Sequence, residues 1–128
     1  MSARPPEQGW FEKAEKDMVM ARRAMDPEGP IPELACYNSQ QCAEKYLKGY
    51  LVSQKMDFLY VHDLVYLTQR CMERNQAFTE LERPARILSK YGAGVRYPLE
   101  NFVDPDEQEA WEAIGLAERV ATFVKSQL

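Results

Sequence analysis

The stretch Leu34–Gln54, LACYNSQQCAEKYLKGYLVSQ, decides the fold. Gln41, Glu44, Lys45 and Lys48 fall at i, i+3, i+4 and i+7, which is one face of an α-helix. Ala35, Cys36, Cys42, Ala43, Tyr46, Leu47, Tyr50 and Leu51 cover most of the remaining surface. A helix with so wide an apolar surface is mostly buried. Its polar stripe then either meets water along a narrow strip, with Glu44 and Lys48 as an i, i+4 pair, or meets other polar elements of the fold. Two later islands can supply those elements. One is Val61-His62-Asp63-Leu64, with the only histidine; the other is Tyr91–Pro98, which carries Arg96 and Tyr97.

The rest of the chain reads outward from this helix. Residues 1–8 hold two prolines without periodicity and are expected to form a loose arm, leaving 9–128 as a single domain. Trp10, Ala14, Met18, Ala21 and Met25 repeat at helical spacing and mark a first helix. The run Asp26–Pro32, with three prolines and a glycine, must end it. Pro32 or Glu33 opens the second helix. After a short connection at Met56–Tyr60, Asp63 is placed to cap a third helix whose apolar side is Leu64, Leu67, Cys71 and Met72. Asn75-Gln76 breaks that helix. Thr79 and Glu82 have capping-box spacing for a fourth, with Ile87, Leu88 and Tyr91 inside it and Gly92 and Gly94 at its end. Asp104-Pro105-Asp106-Glu107 reads as cap, first-turn proline and acids on the positive end of the helix dipole. Trp111, Ile114, Ala117, Val120 and Val124 carry the last helix. No segment alternates as a strand. The expected architecture is all-α: an antiparallel up-and-down bundle of four long helices plus a shorter fifth element.

Composition narrows the function class. At 128 residues, 45% hydrophobic and 28% charged, the chain suits one globular domain with a proper core. No apolar run is long enough to span a bilayer, and Met1–Pro6 lacks the apolar middle of a secretory signal, so a cytoplasmic protein is expected. Cys36, Cys42 and Cys71 are odd in number, show no paired spacing, and read as buried reduced thiols. A net charge of −4 does not favour a broad nucleic-acid surface, although it leaves room for a small basic site. Arg22 and Arg23 read as partners of a helix C-terminus. No metal-ligand spacing, cofactor motif or nucleophile–base set stands out.

The run Tyr37-Asn38-Ser39-Gln40-Gln41-Cys42-Ala43-Glu44-Lys45-Tyr46-Leu47-Lys48 resembles the signature helix of the HEPN domain. In that family a histidine opens the next helix, as His62 does in His62-Asp63-Leu64. An Arg-Tyr-Pro element often precedes the last helix, matched here by Arg96-Tyr97-Pro98. The resemblance implies a helical bundle that commonly dimerises. It also implies one of two settings. The first is a toxin–antitoxin-like pairing with a minimal nucleotidyltransferase subunit. The second is metal-independent RNA cleavage, in which an arginine is followed after four to six residues by a histidine. There a cation stabilises the phosphorane while imidazole moves the 2′-OH proton. This chain departs from the second pattern: Asn101 follows Arg96 by five residues, and an amide does not exchange protons near neutral pH.

These readings converge on a homodimeric binding module without metal or cofactor. It would associate with a nucleotidyltransferase-type partner, or bind a nucleotide or RNA phosphate through Gln41, Glu44, Lys45, Lys48, His62, Arg96 and Tyr97. A guanidinium fork at Arg96 suits paired phosphate oxygens. Bland alternatives stand beside it: a solvated stripe, a His62 hydrogen-bonded to backbone at a helix start, and an Arg96 tied to a helix terminus or to Glu100. Two other functional readings remain open. One is a divergent endoribonuclease using Arg96 and His62; the other is a purely structural dimer. The dimer itself is expected because Trp10, Phe11, Trp111, Phe123 and the tyrosines look too numerous for one small core.

Overall fold

The computed structural model describes residues 4–92 and 103–128. Five α-helices run in the order α1 (Gln8–Arg23), α2 (Pro32–Ser53), α3 (Leu64–Arg74), α4 (Glu82–Ser89) and α5 (Glu107–Ser126), with a 3₁₀ helix at Gln76–Leu81. No strand occurs among the described residues. The three long helices are α1, α2 and α5, with 16, 22 and 20 residues; α3 has 11 and α4 has 8.

The second helix is the axis of the bundle and packs against all four other α-helices. Fourteen of its 22 residues are buried, so little of its surface is left for water. Alanines at 14 and 21 on α1, 35 and 43 on α2, and 110, 113 and 117 on α5 are fully or almost fully buried. Side chains this small let the three long helices approach closely. Larger residues close the far side: Tyr50 lies 4.4 Å from Phe78 and Phe78 5.0 Å from Phe123, ring centre to ring centre.

The caps hold one expectation and correct two. Asp63 caps α3 as its position suggests, accepting from the N–H groups of Val65 and Tyr66. Thr79 does not cap α4. The backbone tightens into the 3₁₀ helix after Asn75, whose side chain accepts from Ala77 N, while the Thr79 hydroxyl donates to the Gln76 carbonyl. For α5 the cap is Asp106, not Asp104: its carboxylate accepts from Glu109 N, and Pro105 lies outside the helix. The acids at Glu107 and Glu109 still sit on the positive end of the dipole.

Chain direction departs from simple alternation at one link. Helices α1 and α2 are antiparallel, as are α4 and α5. At the end of α2, however, the chain reverses through Lys55, which takes the left-handed conformation (φ 56°). Met56 N then bonds to Leu51 O, and Lys55 N to Val52 O, the Schellman pattern of helix termination. The following segment climbs back along α2, with Phe58 near Lys48 and His62 beside Glu44. Consequently α3 starts beside the middle of α2 and runs in the same general direction.

The core absorbs much of the aromatic surplus read from the sequence. Phe11 and Phe123 pack against it, Tyr46, Tyr50 and Tyr91 are buried, and Trp10 is half-buried. Among the described residues that suggested the dimer, Trp111 and Tyr60 stay exposed, at 53% and 91%. The three cysteines are free and buried. Burial pushes the Cys36 and Cys42 thiols up to about 12 and the Cys71 thiol upward too, which keeps them protonated and inert at neutral pH.

At Gly49 a ring of α1 packs directly onto the α2 backbone. The Phe11 ring, itself stacked on Tyr46 at 5.5 Å, occupies the space a Cβ would need. Gly49→Ala is expected to destabilise the fold by about 1–3 kcal/mol through overpacking. In a Phe11→Ala background the same change should instead stabilise by up to about 1 kcal/mol, the helix propensity of alanine over glycine. Urea unfolding of the four proteins checks the reversal of sign.

Candidate functional site

Gln40, Glu44 and Lys48 form one i, i+4, i+8 row on α2, facing the returning segment. Glu44 is the centre. Its side chain is 4% exposed, and Oε2 accepts from Lys48 Nζ at 2.9 Å. Oε1 accepts from Gln40 Nε2 at 3.2 Å and lies 2.9 Å from His62 Nδ1. Gln40 also donates to the His62 carbonyl at 3.1 Å, so one carboxamide fixes both the acid and the backbone of the histidine. Gln41 stands behind it, donating to Gln40 Oε1 at 2.7 Å. The stripe is therefore not a solvated strip: Glu44 and Lys48 are buried together, and the polar partners come from the fold itself.

Lys48 is roofed by aromatic rings. Its ammonium lies 5.9 Å from the centre of the Trp10 ring and 6.0 Å from that of Phe58, which meet edge to face at 6.3 Å. The negative faces of such rings favour a desolvated cation. Trp10 and Phe58 were not legible as site residues: Trp10 reads as a core position of α1, and Phe58 as one aromatic in a non-helical connection. Lys45 leaves the group and pairs with Asp17 of α1. Arg96 and Tyr97 lie outside the described residues.

His62 differs from its neighbours in facing water, with a side chain 72% exposed. A carboxylate only accepts, so the 2.9 Å approach to Glu44 requires the proton on Nδ1. Nε2 is then the nitrogen left for a ligand. The arrangement is one imidazole, oriented from below by a buried acid, at the rim of an otherwise closed polar cluster. Among the described residues no group of three or more His, Cys, Asp or Glu side chains is placed to hold a metal.

A second polar group sits on the opposite side of α1. Tyr46 donates to Glu15, which also accepts from Lys125 at 3.1 Å. The tyrosine hydroxyl first, and Lys125 next, hold the Glu15 carboxyl below its ordinary value; burial and the same acid push the Tyr46 hydroxyl up.

The HEPN domain model matches residues 7–127, which takes in every helix described above. The chain belongs to the HEPN domain family. Two solved structures share its fold. TT1696 from Thermus thermophilus is 24% identical, with a TM-score of 0.80 over 98% of this chain and 100% of that one. ST0689, an archaeal HEPN homologue, is 30% identical, with a TM-score of 0.75 over 94% of this chain and 96% of that one. No curated protein matches. In this HEPN domain the glutamine-rich signature helix is thus α2, and its Gln, Glu and Lys side chains build the cluster under His62.

Removing one partner of a buried ion pair strands the other, whereas replacing both with apolar side chains does not. Glu44→Leu and Lys48→Met are each expected to destabilise the domain by about 3–5 kcal/mol. The double variant should regain wild-type stability or exceed it. Additive losses in urea unfolding would contradict a buried, mutually compensating pair.

Proposed function

We propose that this HEPN domain is a binding module without chemistry of its own, acting as a homodimer alongside a nucleotidyltransferase-type subunit. Its ligand is a nucleotide or RNA phosphate, taken at the His62 rim, with Arg96 and Tyr97, which lie outside the described residues, as its further contacts. The observation that carries this reading is the exposed His62 imidazole, held by a buried acid that has no exit to solvent. Gly92 adds support. It lies against Gln40, with its Cβ position 3.4 Å from Gln40 Nε2, and Arg96 follows only four residues later. Lys48, Glu44 and Gln41 then act by positioning, and Lys45 ties α2 to α1.

A second reading has one observation in its favour. A carboxylate that orients an imidazole through Nδ1 is also how hydrolases set a general base. On that reading Arg96 stabilises the phosphorane and His62 takes the 2′-OH proton, making the protein a divergent endoribonuclease.

One titration separates the two. With a labelled single-stranded RNA, anisotropy should show binding that weakens from about 50 to about 200 mM salt, as counterion release requires. Arg96→Ala should cost about 1.5–3 kcal/mol and His62→Ala about 1 kcal/mol, the former for a charge-assisted contact and the latter for an ordinary one. The RNA should remain intact. Absence of binding at low salt would remove the phosphate reading, and cleavage that depends on His62 would replace it with the nuclease.

A further inference from the structure

The segment that returns along α2 is held at each end and in the middle. Arg70 Nε donates to the Asp57 carbonyl at 3.2 Å, Leu59 N to the Tyr66 hydroxyl at 3.1 Å, and Gln40 Nε2 to the His62 carbonyl at 3.1 Å. Between the last two anchors the chain makes a γ-turn. Val61 N donates to Leu59 O at 2.9 Å, with Tyr60 as the central residue. Lys55 is the only non-glycine residue with positive φ among the described residues, so the turn is of the inverse, unstrained kind. Tyr60 therefore stands at the tip of a fixed loop. It is the most exposed large hydrophobic side chain among the described residues, and its ring meets only the edge of Phe58, at 6.0 Å between centres.

Folding leaves this ring unused. An aromatic side chain in a core or an interface buries about 150–250 Å². Here nearly all of that area stays in water, although the loop beneath it is ordered. Asp57, His62 and Asp63 of the same segment are exposed polar residues, and only Leu59 extends the exposed apolar surface. A protein-docking patch is contiguous and runs to a few hundred Å². A single projecting ring among polar groups has instead the form of a stacking platform. Tyr60 and His62 are two residues apart, so their Cα atoms lie within about 7 Å. That is the scale of one nucleotide, whose base and phosphate can reach the two side chains together.

We propose that Tyr60 is a stacking platform for an unpaired nucleobase, and that with His62 it holds one nucleotide: the ring takes the base face and the imidazole Nε2 takes the phosphate. The inference rests on the phosphate reading above and names the ligand class. The ligand is a nucleotide with a free base face, as in single-stranded RNA or a mononucleotide. A duplex hides those faces in its own stack. Recognition tolerates any base, since every base has a π-face.

Fluorescence anisotropy tests it, with a short labelled oligoadenylate, an abasic strand of the same length and duplex RNA, on wild type, Tyr60→Phe and Tyr60→Ala. Tyr60→Ala should weaken oligoadenylate binding about 5- to 150-fold, the effect of losing one base–aromatic stack, and Tyr60→Phe should retain it. The abasic strand and the duplex should bind wild type and Tyr60→Ala alike, at the weaker affinity. The salt dependence should be the same in all three proteins, because a stacked base releases no counterion. Thermal melts should also be the same, since the ring is exposed. Unlabelled adenosine monophosphate as competitor separates the two sources: affinity equal to the strand's assigns a mononucleotide, much weaker affinity a strand, and both depend on the Tyr60 ring. Oligoadenylate binding that survives Tyr60→Ala but falls with His62→Ala would overturn the stack and leave the phosphate reading. Equal losses for the abasic and base-bearing strands would overturn it too. RNA binding unchanged by Tyr60→Ala, with self-association in sedimentation velocity lost, would make the ring a protein contact and overturn the stack. No binding of any probe by wild type at low salt would overturn both readings.

Discussion

Glu44 puts a carboxylate inside the bundle, and a buried carboxylate must be surrounded by donors or it unfolds what contains it. Much of the local structure follows from that requirement. Lys48 and Gln40 come from the same helix, one turn to either side, and each gives Glu44 one hydrogen bond. The remaining capacity is met from outside α2, by His62. To bring it there the chain must reverse sharply after α2 and run back along it, which it does through a lysine in the left-handed region, where a non-glycine residue is disfavoured by about 1–2 kcal/mol. The same return carries Phe58 over the Lys48 ammonium, where Trp10 completes the cover. The polar cluster and the crossover are thus one solution to one problem.

The first turn of α1 packs on two sides of α2. Trp10 and Phe11 are adjacent in sequence and point to opposite sides of the helix pair: Trp10 toward Lys48 and Phe58, Phe11 onto Tyr46 and Gly49. The same turn therefore packs against both the Lys48–Glu44 ion pair and the Tyr46–Glu15–Lys125 group.

The helices were legible because their causes are local. Pro32 at the first turn of α2, Asp63 at the cap of α3, the prolines after α1 and the 3.6-residue spacing of buried positions all act within a few residues. The family was legible for a related reason, since its islands are short and ordered. The site was legible only in part. Glu44, Lys48 and His62 do come together. But periodicity joined Gln41 and Lys45 to the same stripe, whereas the fold turns Lys45 to Asp17 on α1 and makes Gln40 the working glutamine. Adjacent glutamines differ by about 100° around a helix, and which one faces the cluster depends on where the crossover lies. Asp106 caps α5 in place of Asp104, and no side chain caps α4, because the 3₁₀ helix capped by Asn75 runs directly into it.

The central claim is that buried Glu44 fixes the His62 ring through Nδ1 and presents Nε2 outward. Long-range ¹H–¹⁵N correlation of the imidazole, at a pH where the ring is neutral, tests it without any ligand or partner. The account predicts a protonated Nδ1 and an unprotonated Nε2, the reverse of the form free histidine prefers, with a return to that ordinary form in Glu44→Leu. An Nε2-protonated ring in the wild-type protein would contradict it.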